Sequence, residues 1–213
     1  MTLFRLDASI RTEGSVSREV ADTVQAAWQA EHPGATVIRR DLGTEPLPSQ
    51  AWMSLVGGAA SPAEQADAAA LAATLADEVI AADAYLFAVP LYNFGIPQHV
   101  KTWVDLLITD PRLAPGAEPP TAGRPAVLVA VRGGGYGPGT PREGWDHGTP
   151  YLRRILADVF GLDLHVAEAE LTLAGVNPAM EALRGLADQS LQNAHVTAHA
   201  HGRTIAERVR AAA

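Results

Sequence analysis

The sequence predicts an α/β fold: a five-stranded parallel sheet in the order 2-1-3-4-5 with helices on both faces. Three observations carry this. Short apolar runs with the length and character of buried strands alternate with segments of helical periodicity. The alternation repeats five times within 213 residues, the pattern of strands joined by crossover helices. Five strands, rather than six, favour the order in which the third strand pairs with the first.

The elements follow in order. Residues 3–7 form the first strand, ending at Ala8-Ser9, and 10–15 form a loop. Val20, Val24, Ala27 and Trp28 then share one helix face. His32-Pro33-Gly34 ends that helix, and 36–40 read as the second strand. A long connection passes Pro46, Pro48 and Gly57-Gly58. Ser61-Pro62-Ala63-Glu64 opens the next helix, with a capping serine, a proline at the first helical position and a glutamate three residues after the cap. That helix reaches about Ala82. Residues 85–89, all apolar, are a central strand. After Pro97, Val100, Trp103, Val104, Leu107 and Ile108 fall at helical spacing. A Pro/Gly-rich connection, 110–125, reads equally as a substrate or interface loop and as a plain surface connection. Residues 126–131 are the fourth strand. Thr149-Pro150 starts a helix carrying Leu152, Ile155, Leu156, Val159 and Phe160. Residues 164–169 are the last strand, and Asn177-Pro178 caps a terminal helix that continues past Ala200.

Composition excludes several functions. The net charge of −8 argues against a nucleic-acid or membrane-surface role, because both need a basic face. No run approaches the roughly 18 apolar residues of a membrane span, and the first residues read as a strand rather than a signal peptide. The lack of cysteine removes disulfides, thiolate metal sites and a cysteine nucleophile, and fits a cytoplasmic protein. There is no P-loop, GxGxxG or GxSxG motif. His195 and His199 have i, i+4 spacing without a third ligand, so no metal site is expected.

In this strand order the carboxyl ends of strands one, three and four converge on one crevice, where open α/β sheets bind ligands. Ser9, Ser15 and Ser17 lie beside a helix start, whose free N–H groups suit a phosphate. Pro90-Leu91-Tyr92-Asn93-Phe94 offers flat faces and an amide, the needs of a planar heterocycle, although a turn with core aromatics fits too. Arg132-Gly133-Gly134-Gly135 lets backbone amides approach a ring edge closely. His147 and Tyr136 are candidate proton donors in nearby loops.

These segments resemble a known family. Leu6-Asp7-Ala8-Ser9 with Ser15 and Ser17, Pro90 to Phe94 with Ile96-Pro97, Lys101, Trp103 and Asp105, and Arg132-Gly133-Gly134 look like the FMN-dependent NADH-azoreductases, which are flavodoxin-like quinone reductases. The resemblance implies one flavodoxin-like domain over 1–213, noncovalent FMN, a homodimer with flavin near the subunit interface, and a ping-pong hydride cycle from NAD(P)H to quinones or azo compounds. It assigns the FMN phosphate to Ser9, Ser15, Ser17 and the Val16 backbone. Pro90, Leu91, Tyr92, Asn93 and Phe94 would border the isoalloxazine, with Asn93 bonding its edge. Arg132, Gly133 and Gly134 would supply backbone donors to its pyrimidine end. No catalytic side chain is implied, since the flavin carries the chemistry. Val131 stands where relatives often carry Ser or Thr. The helix before Gly161 is one residue longer, so no stacking role falls to Phe160. The competing readings are a flavodoxin-type electron carrier and a flavin-free binding protein on the same fold.

Overall fold

Five parallel strands and six α-helices form the framework of the computed structural model, which describes residues 1–116 and 118–212. Ala117, within the 110–125 connection, and Ala213, at the end of the expected 1–213 domain, lie outside the described residues. The strands are β1 (Thr2–Asp7), β2 (Thr36–Asp41), β3 (Ala84–Pro90), β4 (Pro125–Val131) and β5 (Asp163–Ala169). Their order is β2-β1-β3-β4-β5, all parallel, as the sequence predicts. The register aligns Asp7 with Asp41 and Ala88, and Pro90 with Val131 and then Ala169. The strand carboxyl ends therefore share one edge.

Strand alternation divides the core in two. Phe4, Leu6, Tyr85, Phe87, Val89 and Leu128 face α3 (Pro62–Ile80) and α4 (Gln98–Leu107). Leu3, Leu86, Val127 and Val129 face α1 (Val16–Glu31) and α6 (Arg184–Ala212). β3 and β4 are buried at every position, which is why they read as unbroken apolar runs. Phe160 lies inside the first core, edge-on to Trp103 at 6.3 Å.

Helix boundaries follow local chemistry. Ser61 and Glu64 form both halves of the capping box that starts α3. The sequence reading missed a short helix, α2 (Ala51–Val56), inside the connection after β2; it buries only Ala51, so it carries no apolar stripe. The terminal helix is preceded by a 3₁₀ segment, Pro178–Leu183, whose Asn177 cap accepts from the Ala179 N–H. α5 (Gly148–Arg153) widens into a π-helical stretch, Arg154–Val159, in which the Phe160 N–H donates to the Ile155 carbonyl at 2.9 Å. A π turn is how a helix takes up one extra residue.

Candidate functional site

The carboxyl edge of the sheet opens into one cleft with a cavity volume of about 210 Å³. Ser9, Arg11, Gly14, Ser15, Val16 and Ser17 line one side, and Pro90, Leu91, Tyr92, Val131 and Gly133 line another. Thr172 and Leu173, which follow β5, complete the wall. Eight of the twelve residues singled out from sequence thus share one cavity, while Asn93, Phe94, Arg132 and Gly134 do not line it but belong to loops that do.

The first loop is held from below. Ser15 is the N-cap of α1, its hydroxyl accepting from the Arg18 N–H, which leaves first-turn N–H groups directed at the cleft. The Ser15 and Ser17 hydroxyls lie 3.3 Å apart. Arg18 donates to the carbonyls of Ser9 (2.8 Å) and Arg11 (3.0 Å) and forks onto Asp41 at 2.6 and 2.8 Å. Burial pushes the Asp41 carboxyl up. The hydrogen bond and charge of Arg18, with bonds from Thr44, overcome this and hold it at about 2. The chain after Asp41 packs directly on the loop: a Cβ on Gly43 would lie 1.9 Å from the Ser9 carbonyl oxygen.

The second loop is a tight hairpin. Tyr92 and Gly95 exchange two backbone hydrogen bonds of 3.0 Å, and Asn93 and Phe94 both have positive φ, 48° and 70°. This is the two-residue turn that favours Asn-Gly, and a phenylalanine in its second central position stores about 1–3 kcal/mol of strain. The geometry persists because it is clipped: the His147 N–H donates to the Phe94 carbonyl at 2.9 Å. The Phe94 ring meets the edge of Trp145 at 5.4 Å and of Tyr136 at 6.4 Å. Tyr92 stands toward the first loop, its hydroxyl accepting from the Ile10 N–H at 3.2 Å. Asn93 and Phe94 are exposed at the tip, as is His147.

The third loop differs in detail from the sequence reading. The Arg132 N–H donates to the Ala169 carbonyl at 2.8 Å, so it is used by the sheet. The Gly133 and Gly134 N–H groups have no protein acceptor among the described residues. The Arg132 side chain is buried and directed to carboxylates, with Asp146 at 2.6 Å, Glu168 at 2.9 Å and Glu170 at 3.1 Å. Burial alone would lower its affinity for the proton, and Glu168 and Asp146 more than reverse that. Arg132 is thus a strut between β4, β5 and α5.

Sequence reasoning missed Arg11, Arg18, Thr172 and Leu173. Only the last two carried a signal, since they follow the carboxyl end of the fifth strand and strand ends converge. His195 is accounted for structurally: it bonds Thr23 at 2.8 Å and Glu19 at 3.3 Å, joining α6 to α1.

Fold and cleft together define a doubly wound α/β protein with an anion-receptive helix start beside a ring-walled slot. A family described as having a flavodoxin-like fold matches residues 1–193. The chain is 40% identical over 212 residues to a Streptomyces avermitilis protein named FMN-dependent NADH:quinone oxidoreductase, covering 97% of this chain and 98% of that one. A Kineococcus radiotolerans protein of the same name is 41% identical over 210 residues, 95% of this chain and 99% of its own. An azoreductase structure from Bacillus anthracis superposes with a TM-score of 0.75 at 22% identity, covering 96% and 99% of the two chains. The chain belongs to the flavodoxin-like-fold family and, within it, to the group of these two relatives.

Proposed function

We propose that this protein is an FMN-dependent oxidoreductase that takes two electrons from NADH and passes them to quinones, with azo compounds as further acceptors. The observation that carries the reading is one cleft shared by the serine-lined start of α1, the Tyr92 wall and Gly133, whose N–H has no protein acceptor among the described residues. Near-full-length similarity to proteins named for that activity supports it.

The cleft fits FMN by its donor set. The α1 N–H groups, the Ser9, Ser15 and Ser17 hydroxyls and the Arg11 side chain, which makes no ion pair among the described residues, suit the phosphate. Pro90, Leu91 and Tyr92 suit one border of the ring, and the Gly133 and Gly134 N–H groups suit the electron-accepting pyrimidine edge. Asn93 and Phe94 are exposed on the loop that carries Tyr92, and Asn93 is the amide that would bond the ring edge. Bound there, FMN would supply the two-electron chemistry. The protein supplies orientation and a water-poor wall. Neutral backbone donors at the pyrimidine edge favour added electron density without a fixed counter-charge. No side chain of the cleft is needed as an acid or base.

A volume of about 210 Å³ falls below the roughly 300–1,000 Å³ that encloses a drug-sized ligand. A second copy of the chain closing over the rim, where Phe94 and Trp145 are exposed, would complete the site. That supports a homodimer built from one such domain per subunit.

The test is a visible spectrum of the purified protein after FMN addition and removal of unbound flavin, followed by NADH without oxygen. Retained yellow colour, bleached by NADH and restored by a quinone, is the expected result. Retained flavin that NADH fails to bleach would instead mark an electron carrier, and a colourless protein would refute both.

A further inference from the structure

We propose that Arg142 determines substrate specificity by reading negative charge: it selects ring-bearing substrates that carry an anionic group, whether a sulfonate or carboxylate on an acceptor or the phosphates of the dinucleotide. The assignment deepens the functional reading above and depends on the same cleft.

Arg142 belongs to the glycine-rich connection between β4 and α5. Its guanidinium carbon lies 5.9 Å from the centroid of the Phe94 ring. A Cβ on Gly134 would lie 3.1 Å from its Nη1. One cation therefore bridges the tip of the second loop and the third loop, the two loops that contribute Tyr92 and Gly133 to the cleft wall. Stacking on an aromatic face holds a guanidinium in place while leaving its N–H fork free.

Carboxylates of the surrounding loops have partners other than Arg142. Asp146, Glu168 and Glu170 surround Arg132. Glu143, adjacent in sequence, accepts from the Gly139 N–H at 2.8 Å. Among the described residues Arg142 makes no ion pair, in contrast with Arg18 and Arg132. In a chain of net charge −8, a cation held against Phe94 with no ion pair among the described residues is a local attractor for anions. A flat ligand lying on a ring held between Tyr92 and Gly133 would meet the loops that carry this fork, and a charge-assisted hydrogen bond to a ring substituent would favour the anionic ligand over its neutral analogue.

Two redox-inert probes test this: naphthalene-2-sulfonate and uncharged 2-naphthol, titrated calorimetrically into wild type and Arg142→Gln, with and without FMN. The preference for the sulfonate should fall about three- to tenfold in the variant at low salt, and the difference should nearly vanish at 1 M salt, where screening acts over about 3 Å. Arg142→Lys, which keeps a point charge, should recover part of the preference. Stopped-flow on the FMN-loaded protein separates the sources. Slower reduction by NADH in the glutamine variant points to the dinucleotide phosphates. Slower reoxidation by a sulfonated naphthoquinone, relative to a neutral one, points to the acceptor. An unchanged sulfonate-to-naphthol ratio in Arg142→Gln overturns the proposal. The titration requires no electron transfer, so it decides on Arg142 even if the spectrum shows no flavin.

Discussion

Replacing Arg18 with methionine keeps the aliphatic stem and removes the guanidinium that ties the first loop down. Three attachments go at once: the bond to the Ser9 carbonyl, the bond to the Arg11 carbonyl and the fork onto Asp41. Hydrogen bonds from a charged donor contribute about 1.5–3 kcal/mol each, yet they are not additive. Removing one partner of a buried ion pair costs about 3–5 kcal/mol. Asp41 keeps a fifth of its side chain in water, so a total loss of about 2–4 kcal/mol is expected. The pH dependence gives an independent check. The Asp41 carboxyl sits at about 2 against an ordinary 3.8, so its folded value is depressed. That contribution is present above about pH 4 and is lost as pH falls toward 2. By linkage it is worth at most about 2.4 kcal/mol, and solvent screening reduces this to about 1–2 kcal/mol. Urea unfolding of the flavin-free protein should therefore show a lower midpoint for Arg18→Met at pH 7, with the gap to wild type narrowing below pH 4. Fluorescence titration should show FMN binding weakened about ten- to a hundredfold, since the serine loop loses its anchor. A variant with an unchanged urea midpoint and unchanged flavin affinity would refute the reasoning. Asp41→Asn should produce much of the same loss, and the double variant should be clearly less than additive.

Two glycine substitutions should behave oppositely. Gly43→Ala drives a methyl to within 1.9 Å of the Ser9 carbonyl oxygen, a backbone atom; thermal denaturation should show a loss at or above the about 1–3 kcal/mol of ordinary overpacking. Gly133→Ala meets only the side chain of Leu173, at 2.7 Å from its Cδ1; that side chain is 41% exposed and can swing away. Stability should then change by less than about 1 kcal/mol, while flavin affinity falls because the added methyl and the displaced leucine narrow the cleft. Ser61→Ala removes one half of the α3 capping box, and calorimetry should place Tm about 2–4 °C lower with FMN binding intact.

What could be read from sequence was set by how local its cause is. The capping box needs only Ser61 and Glu64, three residues apart, and it is present in full. Strands β3 and β4 announce themselves because every position is buried. α2 was illegible because a six-residue helix that buries one alanine leaves no periodic trace. The sequence spacing of Leu152, Ile155, Leu156 and Val159 reads as uninterrupted α-helix, and the π stretch follows from the i+5 bond of Phe160, which periodicity does not report. At the cleft, residue types were legible and their hydrogen-bond commitments were not. Arg132 offers a backbone donor in sequence, but the register with β5 assigns that donor to Ala169. Arg18 lies 23 residues from Asp41 and reads as an ordinary charged residue in a first helical turn; only the pairing of β1 with β2 brings its partner beneath the loop.

The distribution of arginines around the cleft separates support from recognition. A guanidinium surrounded by carboxylates and carbonyls has spent its donors on the protein, so Arg18 and Arg132 fix loops rather than bind ligands. Arg5 and Asp7 extend the same logic below the sheet edge, where Asp7 is fully buried and accepts from both Arg5 and Arg39. With these cations neutralised in place, the cleft floor presents neutral N–H groups, which tolerate a ring in either redox state. Among the described residues, positive charge without an ion pair remains on Arg11, beside the serines, and on Arg142, over Phe94. Neutral donors in the cleft wall and unpaired cations on the loops beside it suit a site that must keep one planar group while exchanging one charged partner for another.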